Sequence, residues 1–210
     1  MTIMDVKDNI KDLEMAKKRD HKILITDEAI EKVPRIEYKN ISESEYDIIR
    51  ELAKKVLLIS KNEKNSNEIA ITYSMNSASH IHEDQYIGVA IGYEHGVDPI
   101  SNTTAYHLVT SAKECIVIVL HNHPSLSDFS LSDVQFLLNY ASVKMMVVVT
   151  NLGNISYLVK GEQYLYEKAI TLFNEAVDLS NKAGDLKGLQ KAARYFLKNC
   201  HMAGIDYDNK

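Results

Sequence analysis

Residues 121–133, HNHPSLSDFSLSD, contain side chains whose types and spacing suit metal chemistry. His121 and His123 are two residues apart, so both imidazoles point to the same side of an extended segment. Asp133 follows ten residues after His123, on the first turn of an expected helix. Two histidines and one aspartate leave one position of a tetrahedral Zn²⁺ open for water, which is typical of a catalytic zinc site rather than a structural one.

The same residues also have a purely structural interpretation. Ser130 and Asp133 form a Ser-x-x-Asp pattern before an apolar run, which approximates a helix capping box. Taken alone, that pattern favours a cap, and a single histidine near a strand end favours an ordinary core or surface residue. The joint occurrence of His-x-His, Pro124, Ser130 and Asp133 at one strand exit favours a metal site.

The flanking patterns place this segment at the end of a buried strand. Residues 115–120, CIVIVL, are apolar throughout, which is typical of a strand covered on both faces, and a helix is predicted over residues 131–142. Further strands are predicted at residues 68–75, 86–93, 144–150 and 155–159, with a helix around residues 103–112. The pattern predicts a three-layer α/β fold, in which a mixed β-sheet is flanked by helices. Open α/β sheets tend to bind ligands at the carboxyl ends of such strands.

Three segments follow from the alternation of patterns. Residues 1–65 are predicted as an N-terminal helical extension, with helices at residues 4–18, 26–33 and 42–60. Residues 66–160 form the predicted zinc domain. Residues 161–210 are predicted as a C-terminal helical hairpin, whose apolar stripes either pack on the domain or form a surface for oligomers or partners.

The charge distribution bears on partners and location. Residues 66–160 carry eight acidic and three basic side chains and thus the whole formal net charge of −5. Such an acidic segment disfavours direct nucleic-acid binding. No apolar run approaches the ~20 residues of a membrane span and the amino terminus has no apolar signal core, so we expect a cytoplasmic protein that does not bind membranes. Cys115 and Cys200 suggest neither a disulfide framework nor a cysteine metal site.

The motif resembles the signature of the JAB zinc metalloprotein family, also called MPN or JAMM, which is His-x-His-x7-Ser-x2-Asp. The run IVLHNHPS is similar to its bacterial RadC-like branch, and the resemblance covers residues 66–160. It implies a cytidine-deaminase-like fold and a Zn²⁺ held by His121, His123 and Asp133. Six residues separate His123 from Ser130 where the family pattern has seven, a deletion that a turn absorbs while the helix still carries Asp133.

The resemblance also implies a catalytic glutamate at the start of the first strand, where Glu68 stands. A carboxylate is needed on chemical grounds as well, because the proton of a zinc-activated water must be accepted and passed to the leaving amine. Glu94 is the second candidate for this base and Glu83 the third, while an exposed acid at a strand end is the alternative interpretation of Glu68. Ser130 is predicted to donate a hydrogen bond to the oxyanion that forms at the carbonyl.

These residues predict a zinc metallopeptidase or isopeptidase of the JAMM type, acting on a protein or peptide. By family analogy alone, its substrate would carry a ubiquitin-like tail. The alternative is a RadC-like accessory protein associated with DNA repair or mobile DNA, with the zinc domain as a binding module. The acidic segment and the absence of a helix-hairpin-helix glycine element before the domain count against it. A metal-free structural domain is the third alternative, which the intact ligand set disfavours.

Overall fold

The computed structural model describes residues 23–63, 67–75, 86–94, 96–183 and 186–210. The helix predicted at residues 4–18 and the candidate base Glu83 lie outside the described residues. Within these ranges, no helix combines the length and the apolar character needed to cross a membrane.

A six-stranded mixed sheet forms the middle of the molecule. Its strands are β1 (Ile69–Ser74), β2 (Ile87–Ile91), β3 (Val117–His123), β4 (Val143–Thr150), β5 (Ile155–Lys160) and β6 (Ile205–Asn209), in the order β2-β1-β3-β4-β5-β6. β3 and β4 pair in parallel, and the other neighbouring strands pair antiparallel. All seven residues of β3 are buried, as expected of a central strand covered on both faces.

Helices cover both faces of this sheet and confirm the predicted α/β class. They are α1 (Asp27–Glu31), α2 (Tyr46–Asn62), α3 (Thr103–Ser111), α4 (Leu131–Asn139), α5 (Tyr166–Ala183) and α6 (Leu186–Asn199). The first two pack on one face, and the other four pack on the opposite face. The segment predicted as an N-terminal helical extension therefore supplies the helices of one outer layer. The segment predicted as a C-terminal helical hairpin supplies two helices of the other layer.

Alternation along β3 separates two cores. Ile118 and Leu120 pack with residues of α2, whereas Val117 and Val119 pack on the face that carries α4, α5 and α6. The alternation continues through the end of the strand, so His121 and His123 lie on the α4 face. This local periodicity positions the candidate ligands.

The carboxyl end of the described chain contains a strand that the sequence analysis did not predict. After the helical hairpin of α5 and α6, a 3-10 turn at Cys200–Ala203 ends at Gly204, whose φ of 73° suits glycine. β6 then pairs with β5 at the edge of the sheet, with Ile205 opposite Lys160. The sequence IDYDN is polar at most positions, because an edge strand is not covered on both sides.

Candidate metal centre

His121 and His123 lie at the carboxyl end of β3, with both side chains on the same face of the sheet. Their side chains are almost completely buried, with 2% of His121 and 6% of His123 exposed. Burial of two imidazoles beside each other requires polar partners, because an unpaired buried polar group costs free energy.

Asp133 reaches the histidines from the first turn of α4, where it also closes a capping box. Ser130 is the N-cap residue: its Oγ accepts a hydrogen bond from the Asp133 amide at 3.2 Å, and its own amide donates to Asp133 Oδ2 at 2.7 Å. The structural and the metal-site interpretations of Ser130 and Asp133 are therefore compatible, because the cap aims the carboxylate at the histidines.

Side-chain ligand atoms of three residues converge with spacings close to those of a zinc site. His121 Nε2 lies 3.0 Å from His123 Nε2 and 3.1 Å from Asp133 Oδ1, and His123 Nε2 lies 3.6 Å from Asp133 Oδ2. Zinc–ligand distances of about 2.0–2.2 Å at tetrahedral angles place ligand atoms about 3.3–3.5 Å apart. The three residues, which we call the triad, therefore fit a metal ion, to which the described part of the chain offers three ligands.

The outer ring nitrogens of the two histidines differ in their surroundings. His123 Nδ1 lies 3.0 Å from the carbonyl oxygen of Ser127 and 3.2 Å from its Oγ, so Nδ1–H donates to that carbonyl and leaves the Nε2 lone pair for an ion. His121 Nδ1 is buried and has no hydrogen-bond partner within the described part of the chain. The orientation of His123 is therefore fixed by a hydrogen bond, whereas that of His121 is fixed by packing and by the triad.

The Asp133 carboxyl is held in its charged form. Burial raises its pKa, but electrostatic attraction to His121 and His123 and hydrogen bonds from His121 and Ser130 together hold that pKa well below its usual range. An ionised carboxylate is the form that ligates a metal.

The register between β1 and β3 brings Glu68 to the end of β3 that carries the triad. Ala70 is opposite His121 in the antiparallel pair, and Glu68 stands two residues before Ala70, on the same face of the extended chain. Its amide donates to the Tyr93 carbonyl at 3.0 Å and its carbonyl accepts from the Gly92 amide at 2.8 Å. The half-buried side chain lines the cavity that the triad also lines.

A buried polar cluster on the other face of β3 fixes the backbone around Glu68. Asn122 Oδ1 accepts from the Ile69 amide at 2.8 Å, and Asn122 Nδ2 donates to Ser60 Oγ at 3.1 Å and to Asn151 Oδ1 at 3.3 Å. Ser60 Oγ in turn donates to the carbonyl of Asn67 at 2.8 Å. The residues before and after Glu68 are thus both tied to this cluster, which we call the Asn122 network.

A cavity of about 640 Å³ opens at the triad. Glu94 and Ser130 also line it, so the second candidate base and the predicted oxyanion donor lie on the same cavity as Glu68. Ser130 Oγ donates its proton to Asp133 Oδ2 at 2.7 Å. The hydroxyl therefore supports the cap and the ligand, and its bond to an oxyanion stays a prediction.

Sequence reasoning did not identify several residues that support the site. Ser127, which orients His123, lies in a loop with no recognisable pattern. Asp128 accepts a hydrogen bond from Tyr207 of β6, so the unpredicted strand also anchors the motif loop. The Ser127 contact is local, but its acceptor is a backbone carbonyl, which any residue type supplies, so it leaves no sequence signal. The Asp128–Tyr207 contact depends on two distant segments that the fold brings together.

Comparison of the chain with protein-family models, with curated proteins and with solved structures finds no match in any of the three.

Proposed function

We propose that the chain is a zinc-dependent hydrolase of peptide or isopeptide bonds, built on a JAB/MPN-like domain. The observation that supports this most directly is the convergence of His121, His123 and Asp133, whose ligand atoms lie 3.0–3.6 Å apart, on the wall of a cavity that Glu68 also lines. Nitrogen and carboxylate ligands in this number suit zinc.

The metal and the protein have separate tasks in this proposal. A bound zinc would lower the pKa of a water and polarise the substrate carbonyl. Glu68 accepts the proton of the attacking water and later donates it to the departing amine, a general acid–base role that its place on the cavity wall supports.

The remaining residues hold the ligands in place. The hydroxyl and the amide of Ser130 fix the Asp133 carboxylate, and the Ser127 carbonyl fixes His123. The Asn122 network holds β3, which carries the histidines, against β1, which begins directly after Glu68. Binding geometry is thus prepared before substrate enters, which limits reorganisation during the reaction.

The test compares Glu68→Gln with Glu94→Gln in the zinc-loaded protein on a panel of fluorogenic peptide and isopeptide amides. We expect Glu68→Gln to retain zinc and to lose about 10²–10⁴-fold in cleavage rate, while Glu94→Gln stays close to wild type. Cleavage that survives Glu68→Gln would contradict the role of Glu68. A selective loss in Glu94→Gln would move the base to that residue.

A further inference from the structure

One face of α4 continues from the triad into an apolar wall of the cavity. Asp133, Phe136 and Tyr140 are three and seven residues apart, so they lie on the same side of the helix and its carboxyl end. A rise of 1.5 Å per residue puts Phe136 about 4.5 Å and Tyr140 about 10 Å along the axis from Asp133. The two rings contact each other with centroids 4.8 Å apart.

The facing wall comes from α6 and is also apolar. Leu189, Ala193 and Leu197 follow one another at intervals of four residues and form a single stripe that lines the cavity. Gln190 and Arg194 line it as well, but both are exposed and therefore lie toward solvent. The cavity thus has a polar end at the triad and an apolar end between α4 and α6.

The near edge of the apolar end lies about 4.5 Å along the axis of α4 from Asp133, which is within one to two residues of an extended bound chain. Successive residues of an extended peptide are about 3.3 Å apart, so a side chain next to an amide at the triad reaches the zone between Phe136 and Tyr140. Apolar pockets beside a few placed polar groups are the usual form of small-ligand sites. A cavity of about 640 Å³ has room for an aromatic side chain together with the flanking backbone.

We propose that the apolar end between α4 and α6 selects substrates with a large apolar side chain, aromatic or branched aliphatic, next to the scissile amide. This inference rests on the proposed function for the identity of the reacting bond. Its binding step depends on the cavity alone and can be measured without metal.

The first experiment uses NMR to measure the binding of N-acetylphenylalaninamide and of N-acetylalaninamide to the protein. Each titration is done with and without zinc. Differences of even one methylene in an apolar pocket change binding by about 10- to 200-fold. We expect the phenylalanine amide to bind at least about tenfold more tightly in both metal states. Equal affinities for the two amides would overturn the inference.

Two cavity variants and a matched control locate the preference. Ala193→Phe fills the apolar end and should abolish the preference while leaving the alanine amide unchanged; Phe136→Ala should reduce the preference about tenfold. Tyr106→Ala removes an exposed aromatic side chain of α3 outside the cavity lining and should leave the preference intact. A phenylalanine preference that persists in both cavity variants would overturn the inference. If Ala193→Phe does not fold, a preference that persists in Phe136→Ala is sufficient to overturn it.

The metal-free arm separates this inference from the proposed function. A phenylalanine preference that is lost on Phe136→Ala, in a protein that binds no zinc, would support the pocket and refute the hydrolase. Zinc binding with amide cleavage but no phenylalanine preference would refute the pocket and leave the hydrolase in place.

Discussion

Replacing Asn122 with leucine removes the centre of a polar network while keeping the number and branching of the side-chain heavy atoms. Asn122 is completely buried, and so are Ile69 and Asn151, two of its partners. Leucine leaves the Ile69 amide and Asn151 Oδ1 without the bonds that Asn122 makes at 2.8 and 3.3 Å. Each buried group left unsatisfied costs about 1–3 kcal/mol, so we expect the free energy of unfolding to fall by about 2–6 kcal/mol.

Equilibrium urea unfolding of Asn122→Leu, wild type and Asn154→Ala measures this effect. Asn154 lies in the turn between β4 and β5, close to Asn151, but its side chain is exposed, so its replacement should change stability by no more than about 0.5 kcal/mol. A destabilisation of less than about 1 kcal/mol in Asn122→Leu would refute the reasoning, because the orphaned groups would then have found other partners.

Three further predictions follow from single residues. Burial lowers the pKa of Lys160 to about 8 from 10.5, an effect that Cys115 partly opposes; the folded state therefore binds its proton less tightly than the unfolded state. Relative to Lys160→Met, wild type should gain about 3 kcal/mol of stability as pH rises from about 8 to 10.5, as measured by urea unfolding, and parallel pH profiles would contradict this. Ser130→Ala should lower the free energy of unfolding by about 0.5–2 kcal/mol in thermal unfolding and weaken zinc binding. Ser130→Thr keeps the capping hydroxyl and should recover most of the stability and of the zinc affinity. Equal losses in the two variants would exclude the cap as the cause. Gly153→Ala should destabilise the fold by more than about 1 kcal/mol in the same assay. Gly153 has a φ of 86°, and an added Cβ would lie 2.4 Å from the Ala29 carbonyl oxygen. An unchanged melting temperature would contradict this prediction and show that the turn can rearrange.

The triad could be predicted from the sequence because its geometry is local. The two-residue spacing of His121 and His123 fixes their common side in a strand, and the capping pattern fixes Asp133 in the first turn of the following helix. A run of thirteen residues thus contains nearly all the information needed to bring the three ligands together.

The rest of the site depends on contacts between distant segments. The approach of Glu68 to the histidines follows from the register of β1 on β3, which no local pattern sets. The Asn122 network joins α2, β1, β3 and the turn after β4, and its members look like ordinary polar residues in the sequence. β6 was missed for a related reason, because an edge strand with mostly polar residues lacks the apolar signal of a central strand.

The most direct test of the account is the zinc content of the purified protein, measured by mass spectrometry beside His121→Ala/His123→Ala. A His107→Ala/His201→Ala double variant, which removes two exposed histidines, is the matched control. We predict about one zinc per chain in wild type and in the control, and none in the triad variant. Zinc absent from wild type after loading and removal of excess, or retained by the triad variant, would contradict the metal centre and with it the proposed hydrolase.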